Sequence, residues 1–138
     1  MSYHEFWDLK VWQKARPLKN LIWLTVQDFP PDEKYRLKDQ LIRCSRSINS
    51  NIAEGHGRRT INDQIRFCIM AKGSLSECLN HLIDAYDYKF ITRLKLNELK
   101  SLIDEISKML NSYIPSLQKN HKPISIDNTL NDNPTTKG

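Results

Sequence analysis

The amino-acid sequence predicts an all-α protein, an antiparallel up-down-up-down bundle of four helices. Three observations carry this expectation. Apolar residues recur at three- and four-residue steps through four long segments, which is the helical period. The 138 residues hold only four glycines and six prolines, too few turn formers for many short strands. Alternating runs of β-branched and aromatic residues are missing. A chain of this length reads as one domain with a real core. The bundle is expected over residues 1–118. A flexible polar tail is expected over 119–138, where Asn, Asp, Thr, Ser and Pro take over.

The first helix is expected to begin at Asp8, a good N-cap, and to run to about Asp28. Leu9, Val11, Ala15, Leu18, Leu21, Ile22, Thr25 and Val26 form its apolar face. Pro17 falls inside it. An interior proline costs about 3 kcal/mol, so a bend over residues 13–17, or two helical pieces, is expected. Trp12 and Trp23 point nearly the same way, on the flank of the face. Packing within the chain and an oligomer interface are equally weighted for them.

Phe29-Pro30-Pro31-Asp32 is a turn, and Asp32 is the expected cap of the second helix, with Glu33 in its first turn. That helix should reach about Glu54. Leu37, Leu41, Cys44, Ile48 and Ile52 are its buried stripe. Asn51 falls on the stripe's edge and Glu54 further round, and Gly55 is expected to close the helix in the left-handed conformation. Ser47, Asn51, Glu54 and Gly55 form a polar block beside an apolar seam. The plain reading is a carboxamide hydrogen-bonded to a neighbouring helix. The sharper one is a cluster used between subunits or with a ligand. Arg36, Arg43 and Arg46 are expected to share the opposite face, with Ser47 and Ser50 between them. Such a face is commonly just solvated, but the planar guanidinium fork suits phosphate. Gly57-Arg58-Arg59 adds a short basic turn.

Thr60, with Asp63 three residues on, opens the third helix as a variant of the capping box. Ile61, Ile65, Cys68, Leu75, Leu79, Leu82 and Tyr86 are its seam. Gly73-Ser74 lies in its interior, where close approach of another helix would compensate for the glycine. Thr92 caps the fourth helix, whose seam is Leu99, Ile103, Ile106, Leu110, Tyr113 and Leu117. Those residues step by four and three, as in lengthwise helix packing. Pro115 interrupts the pattern near its end.

Several function classes are disfavoured. No apolar run is long enough to cross a bilayer. The first residues have no basic region followed by an apolar one, so no secretory signal is expected and cytoplasm is the default. Cys44, Cys68 and Cys78 are odd in number and lack Cys-x-x-Cys spacing, so no metal or other cofactor is expected. Helical-bundle ribonucleases that place His about four to six residues after Arg are not matched at His4, His56, His81 or His121. Glu54 and His56 are close in sequence, but no nucleophile or phosphate loop accompanies them, and no enzyme is expected. The net charge of +5 favours polyanions. Candidate phosphate contacts are Arg36, Arg43, Arg46, Arg58 and Arg59, with Lys10 and Lys14 weaker. The alternative is a protein partner met through Trp12 and Trp23.

The chain also resembles the 23S rRNA intervening-sequence protein family of four-helix-bundle proteins. The matching marks begin with Phe6-x-Asp8-Leu9-x-Val11-Trp12-Gln13-Lys14-Ala15 and Phe29-Pro30. They continue with Leu37-x-x-Gln40-Leu41, then Ser47-Ile48-x-Ser50-Asn51-Ile52-Ala53-Glu54-Gly55 and Gly57-Arg58. Arg66-Phe67 and Gly73-Ser74-x-x-Glu77 complete them. The family commonly has proline where this chain has Asn49, and Pro17 is not a family mark. The resemblance implies a small bacterial protein, in some cases encoded within an insertion in a large-subunit rRNA gene. It implies a fold like that of the accessory variability determinant of diversity-generating retroelements. That relative forms a barrel-like pentamer, binds nucleic acid and associates with a reverse transcriptase. By resemblance, then, this chain is expected to be a homo-oligomer, a pentameric ring or barrel, with RNA or DNA and a reverse-transcriptase-like protein as partners.

Overall fold

The computed structural model describes residues 5–33 and 35–120. Four helices dominate: α1, Lys10–Val26; α2, Leu37–His56; α3, Ile61–Asp87; and α4, Arg93–Asn120. One-turn 3-10 helices, Phe6–Asp8 and Pro31–Glu33, precede α1 and α2. No strand occurs among the described residues. Each helix packs on the next in sequence, and α4 returns to α1, while the backbones of α1 and α3, and of α2 and α4, do not approach closely. The α2–α3 contact is the most extensive.

The four apolar stripes share one core. Leu18 and Ile22, Leu41, Leu82, and Leu99, Ile106 and Leu110 are completely buried within it. Burial of each such side chain contributes about 1.5–3 kcal/mol. Thr60 and Thr92 cap α3 and α4 as expected. Thr60 Oγ1 accepts from the Asp63 amide and Thr92 Oγ1 from the Lys95 amide, both at 3.1 Å.

Several expectations are corrected at the helix ends. Asp8 ends a 3-10 turn and does not cap α1; the N-cap position falls to Leu9, which is buried. Insertion of Leu9 into the core sets the entry of the chain, and Gln13 Nε2 donates to the Trp7 carbonyl across it at 2.8 Å. Asp32 does not cap α2 either. That helix starts five residues later, and Glu33 Oε1 accepts from the Leu37 amide at 3.3 Å. Pro17 does not split α1, which is one continuous helix. Gln13, whose carbonyl loses its partner to the ring, and Pro17 are both on the solvent side, where water replaces the bond. Pro115 likewise sits inside an unbroken α4.

Both interior glycines behave contrary to expectation. Gly55 lies within α2 and does not adopt a positive φ. A Cβ there would stand 2.9 Å from Phe67 Cβ and 3.3 Å from the Gln64 carbonyl oxygen. Close approach of α3 therefore requires this glycine. Among the described residues nothing lies within 4 Å of where a Gly73 Cβ would be, so none of the other three helices crosses it closely. The positive φ of the turns falls instead on Lys89, at 66°, between α3 and α4. Lys119 belongs to the last turn of α4. The remainder of the expected tail, 121–138, lies outside the described residues.

Candidate nucleic-acid interface

On the outer side of the α2–α3 pair, Gln40, Arg43, Arg46, Ser47 and Ser50 form one wall of an open groove. Glu77 and His81 of α3 form the other, and the groove encloses about 740 Å³. Helical spacing brings the α2 residues together: 40, 43, 47 and 50 follow at three- and four-residue steps, with Arg46 alongside. Arg43 makes an exposed ion pair with Asp39 at 3.8 Å. The Arg46 guanidinium lies 5.7 Å from the centroid of the Trp23 ring, which is 47 % exposed. Stacking of this kind holds the guanidinium over the ring without using its hydrogen-bond donors.

Small polar side chains fix the floor. Ser47 Oγ and Ser74 Oγ share a hydrogen bond of 2.8 Å between α2 and α3. Asn51 Nδ2 donates to the Ser47 carbonyl at 2.9 Å and to its Oγ at 3.0 Å. The Asn51 carboxamide thus bonds within its own helix and not, as the plain reading expects, to a neighbouring one; the contact to α3 is made by Ser47. Glu54 pairs with Arg58 at 2.6 Å. Below the groove, the sulfurs of Cys44 and Cys78 are 2.7 Å apart. The contact with Cys44, and then burial, push the Cys78 thiol far above its ordinary value. Burial pushes the Cys68 thiol up to about 11. Thiols held protonated in this way are poor nucleophiles and poor metal ligands. Among the described residues no group of three His, Cys, Asp or Glu side chains can hold a metal. Nor is any described helix long and apolar enough to cross a membrane.

The other candidate cations are spread over separate surfaces. Arg36 immediately precedes α2, pairs with Glu33 at 3.8 Å and does not line the groove. Its expected place on the Arg43–Arg46 face is corrected, because the helix begins only at Leu37. Arg58 and Arg66 lie over Phe67, at 4.6 and 4.8 Å from its ring centroid, near the α2–α3 turn. Arg59 in that turn is exposed and makes no ion pair with a described residue. Lys14 ties α1 to α4 through Glu105 at 3.3 Å. Lys10 flanks an apolar hollow with Lys108 on that same side.

The tryptophans also part company. Trp12 is half-buried against the core and meets Phe6 edge-on at 5.4 Å. Its carbonyl accepts from Asn49 Nδ2 at 3.3 Å. Trp23 is exposed. Asn49, buried with its Oδ1 unpartnered, and the Glu77–His81 wall were not singled out by spacing. Ser74 stands in the sequence as the neighbour of Gly73 and as a family mark; in the fold it makes the interhelix contact.

Fold and groove together define a small all-α protein with a basic, hydroxyl-lined cleft between two of its helices. The sequence model of the 23S rRNA-intervening sequence protein family matches residues 7–112, and the chain belongs to that family. A solved structure from Bacteroides thetaiotaomicron, a protein of unknown function from the S23 ribosomal protein family, is similar to it. The two share 24 % identity and a TM-score of 0.70, over 75 % of this chain and 97 % of that one, a likeness of fold. Among curated proteins no match was found.

Proposed function

We propose that this protein is a non-catalytic, oligomeric scaffold that binds nucleic acid, with the α2–α3 groove as its principal phosphate contact. One observation carries the reading: Arg43 and Arg46 stand together beside Ser47 and Ser50 in an open cleft. An exposed ion pair such as Arg43–Asp39 contributes about 0–1 kcal/mol, so phosphate can displace the carboxylate. Arg46 brings a guanidinium and Trp23 an aromatic face, the two partners that a single-stranded backbone and its bases use. Arg58 and Arg59 extend the cationic surface at the adjoining turn. Contacts are of backbone and shape, since no groove-reading motif is present.

The subunit is read as an antiparallel up-down-up-down bundle. In support, Cys44 meets Cys78, Ser47 meets Ser74 and Gly55 meets Phe67, a series that runs oppositely along α2 and α3. A pentameric ring, kinship with the retroelement determinant and a reverse-transcriptase-like partner follow from resemblance. Five copies at +5 each carry +25, and repetition adds weak single contacts.

The test is binding of labelled RNA against salt, with light scattering on nuclease-treated protein to read the copy number. Affinity should fall by roughly 10³ between about 50 and 200 mM salt if about six phosphates are contacted. Arg43→Ala with Arg46→Ala should lower affinity and reduce the log–log salt slope by about 2, with an unchanged circular dichroism melt. A flat salt response, or a double variant that binds like the parent, would overturn the reading. Exposed Leu24 beside Trp23 favours a second reading, a protein partner, which a nuclease-resistant pull-down lost in Trp23→Ala would support.

A further inference from the structure

The outer face of α3 is not used by the core. Arg66, Ile69, Gly73, Ser76, Asn80, Ile83 and Asp87 follow at steps of three and four, and all are exposed. Ile69 is 57 % exposed and Ile83 43 %. Alternating three- and four-residue steps are the seam of lengthwise helix packing. Gly73, in the middle of the stripe, lowers helix propensity with no described residue within 4 Å to fill the space it leaves.

The stripe is complementary to its own reverse. Outward from Ser76, Gly73 answers Asn80, Ile69 answers Ile83, and basic Arg66 answers acidic Asp87. We propose that the α3 helices of two copies pack antiparallel through this face, about a two-fold axis at Ser76. Ile69 of each copy then covers Ile83 of the other, and Gly73 makes room for Asn80. Arg66 reaches Asp87 of the second copy; its present pair with Asp63, at 3.3 Å and exposed, is weak enough to be exchanged. Such an interface uses the same patch on both copies, so it pairs subunits and cannot by itself close a five-fold ring. It needs no nucleic acid, and it stands if the groove proves not to bind RNA. One like-charge contact opposes it: Glu77 flanks the axis in each copy, so Glu77→Gln should tighten the pair.

Ser76→Cys tests the contact directly, because the three native cysteines are buried. The full-length variant, nuclease-treated and exposed to oxidised glutathione, should form a symmetric disulfide dimer. It should do so at least about tenfold faster than Ser101→Cys, an exposed position on α4, because the contact raises the effective thiol concentration. Adding Ile83→Glu should remove that advantage and lower the solution mass while leaving the circular dichroism spectrum unchanged. Equal cross-linking at the two positions, or an advantage that survives Ile83→Glu, would overturn the proposal.

Discussion

Gly55 and Gly73 both sit inside helices and do opposite things. A methyl group at Gly55 would overlap Phe67, and overpacking of that kind costs about 1–3 kcal/mol. At Gly73 the same methyl meets open space and raises helix propensity by up to about 1 kcal/mol. Urea unfolding of Gly55→Ala and Gly73→Ala should therefore shift in opposite directions, measured in the Ile83→Glu background so that association does not enter. The buried thiols give a second expectation. Cys68, pushed up to about 11, and Cys78, raised by its Cys44 contact and by burial, stay protonated where unfolded thiols ionise, near 9.0. The unfolded chain then binds fewer protons than the native one, so stability falls as pH rises. The fall is about 1.4 kcal/mol per pH unit for each such thiol above about pH 9. Urea midpoints followed from about pH 8 to 10.5 should drop less steeply in Cys68→Ala.

At the scale of elements, periodicity carried most of the information. The seams of α1, α2 and α4 were legible because helical spacing puts their residues in one stripe, and the threonine caps because their chemistry is local; that of α3 was legible only in part, since the small, fully buried Ala71, Cys78 and Ala85 fall outside the expected stripe. The ends of α1 and α2 were not legible, since tertiary burial decides them: Leu9 enters the core and displaces Asp8 from the cap. The α2 start supplies a test. Glu33→Ala removes the acceptor for the Leu37 amide and should cost about 0.5–1 kcal/mol. Asp32→Ala, in an exposed 3-10 turn, should stay within about 0.5 kcal/mol of the parent. Chemical denaturation of both variants distinguishes the two caps. Half of the groove could be read in the sequence, because Arg43, Arg46, Ser47 and Ser50 lie on one helix. Glu77 and His81 could not, because their place opposite depends on the register of α2 against α3, which Gly55 and Ser74 set through space.

For the whole molecule, the charges proposed for phosphate are divided between the α2–α3 pair and the α1–α4 side. Lys14 is engaged with Glu105 there, whereas the α2–α3 pair carries Arg43 and Arg46 together in an open cleft. That pair is joined along its length by small groups: a glycine against Phe67, a serine on a serine, a cysteine on a cysteine. Helices that touch through such short side chains lie nearer than leucine-lined ones and have little slack between them. They act as a stiff spine. The interval between Arg43 and Arg46 is consequently insulated from loosening of α1 or α4, and under the proposed binding role a polymer laid along the cleft would meet a ruler of constant pitch.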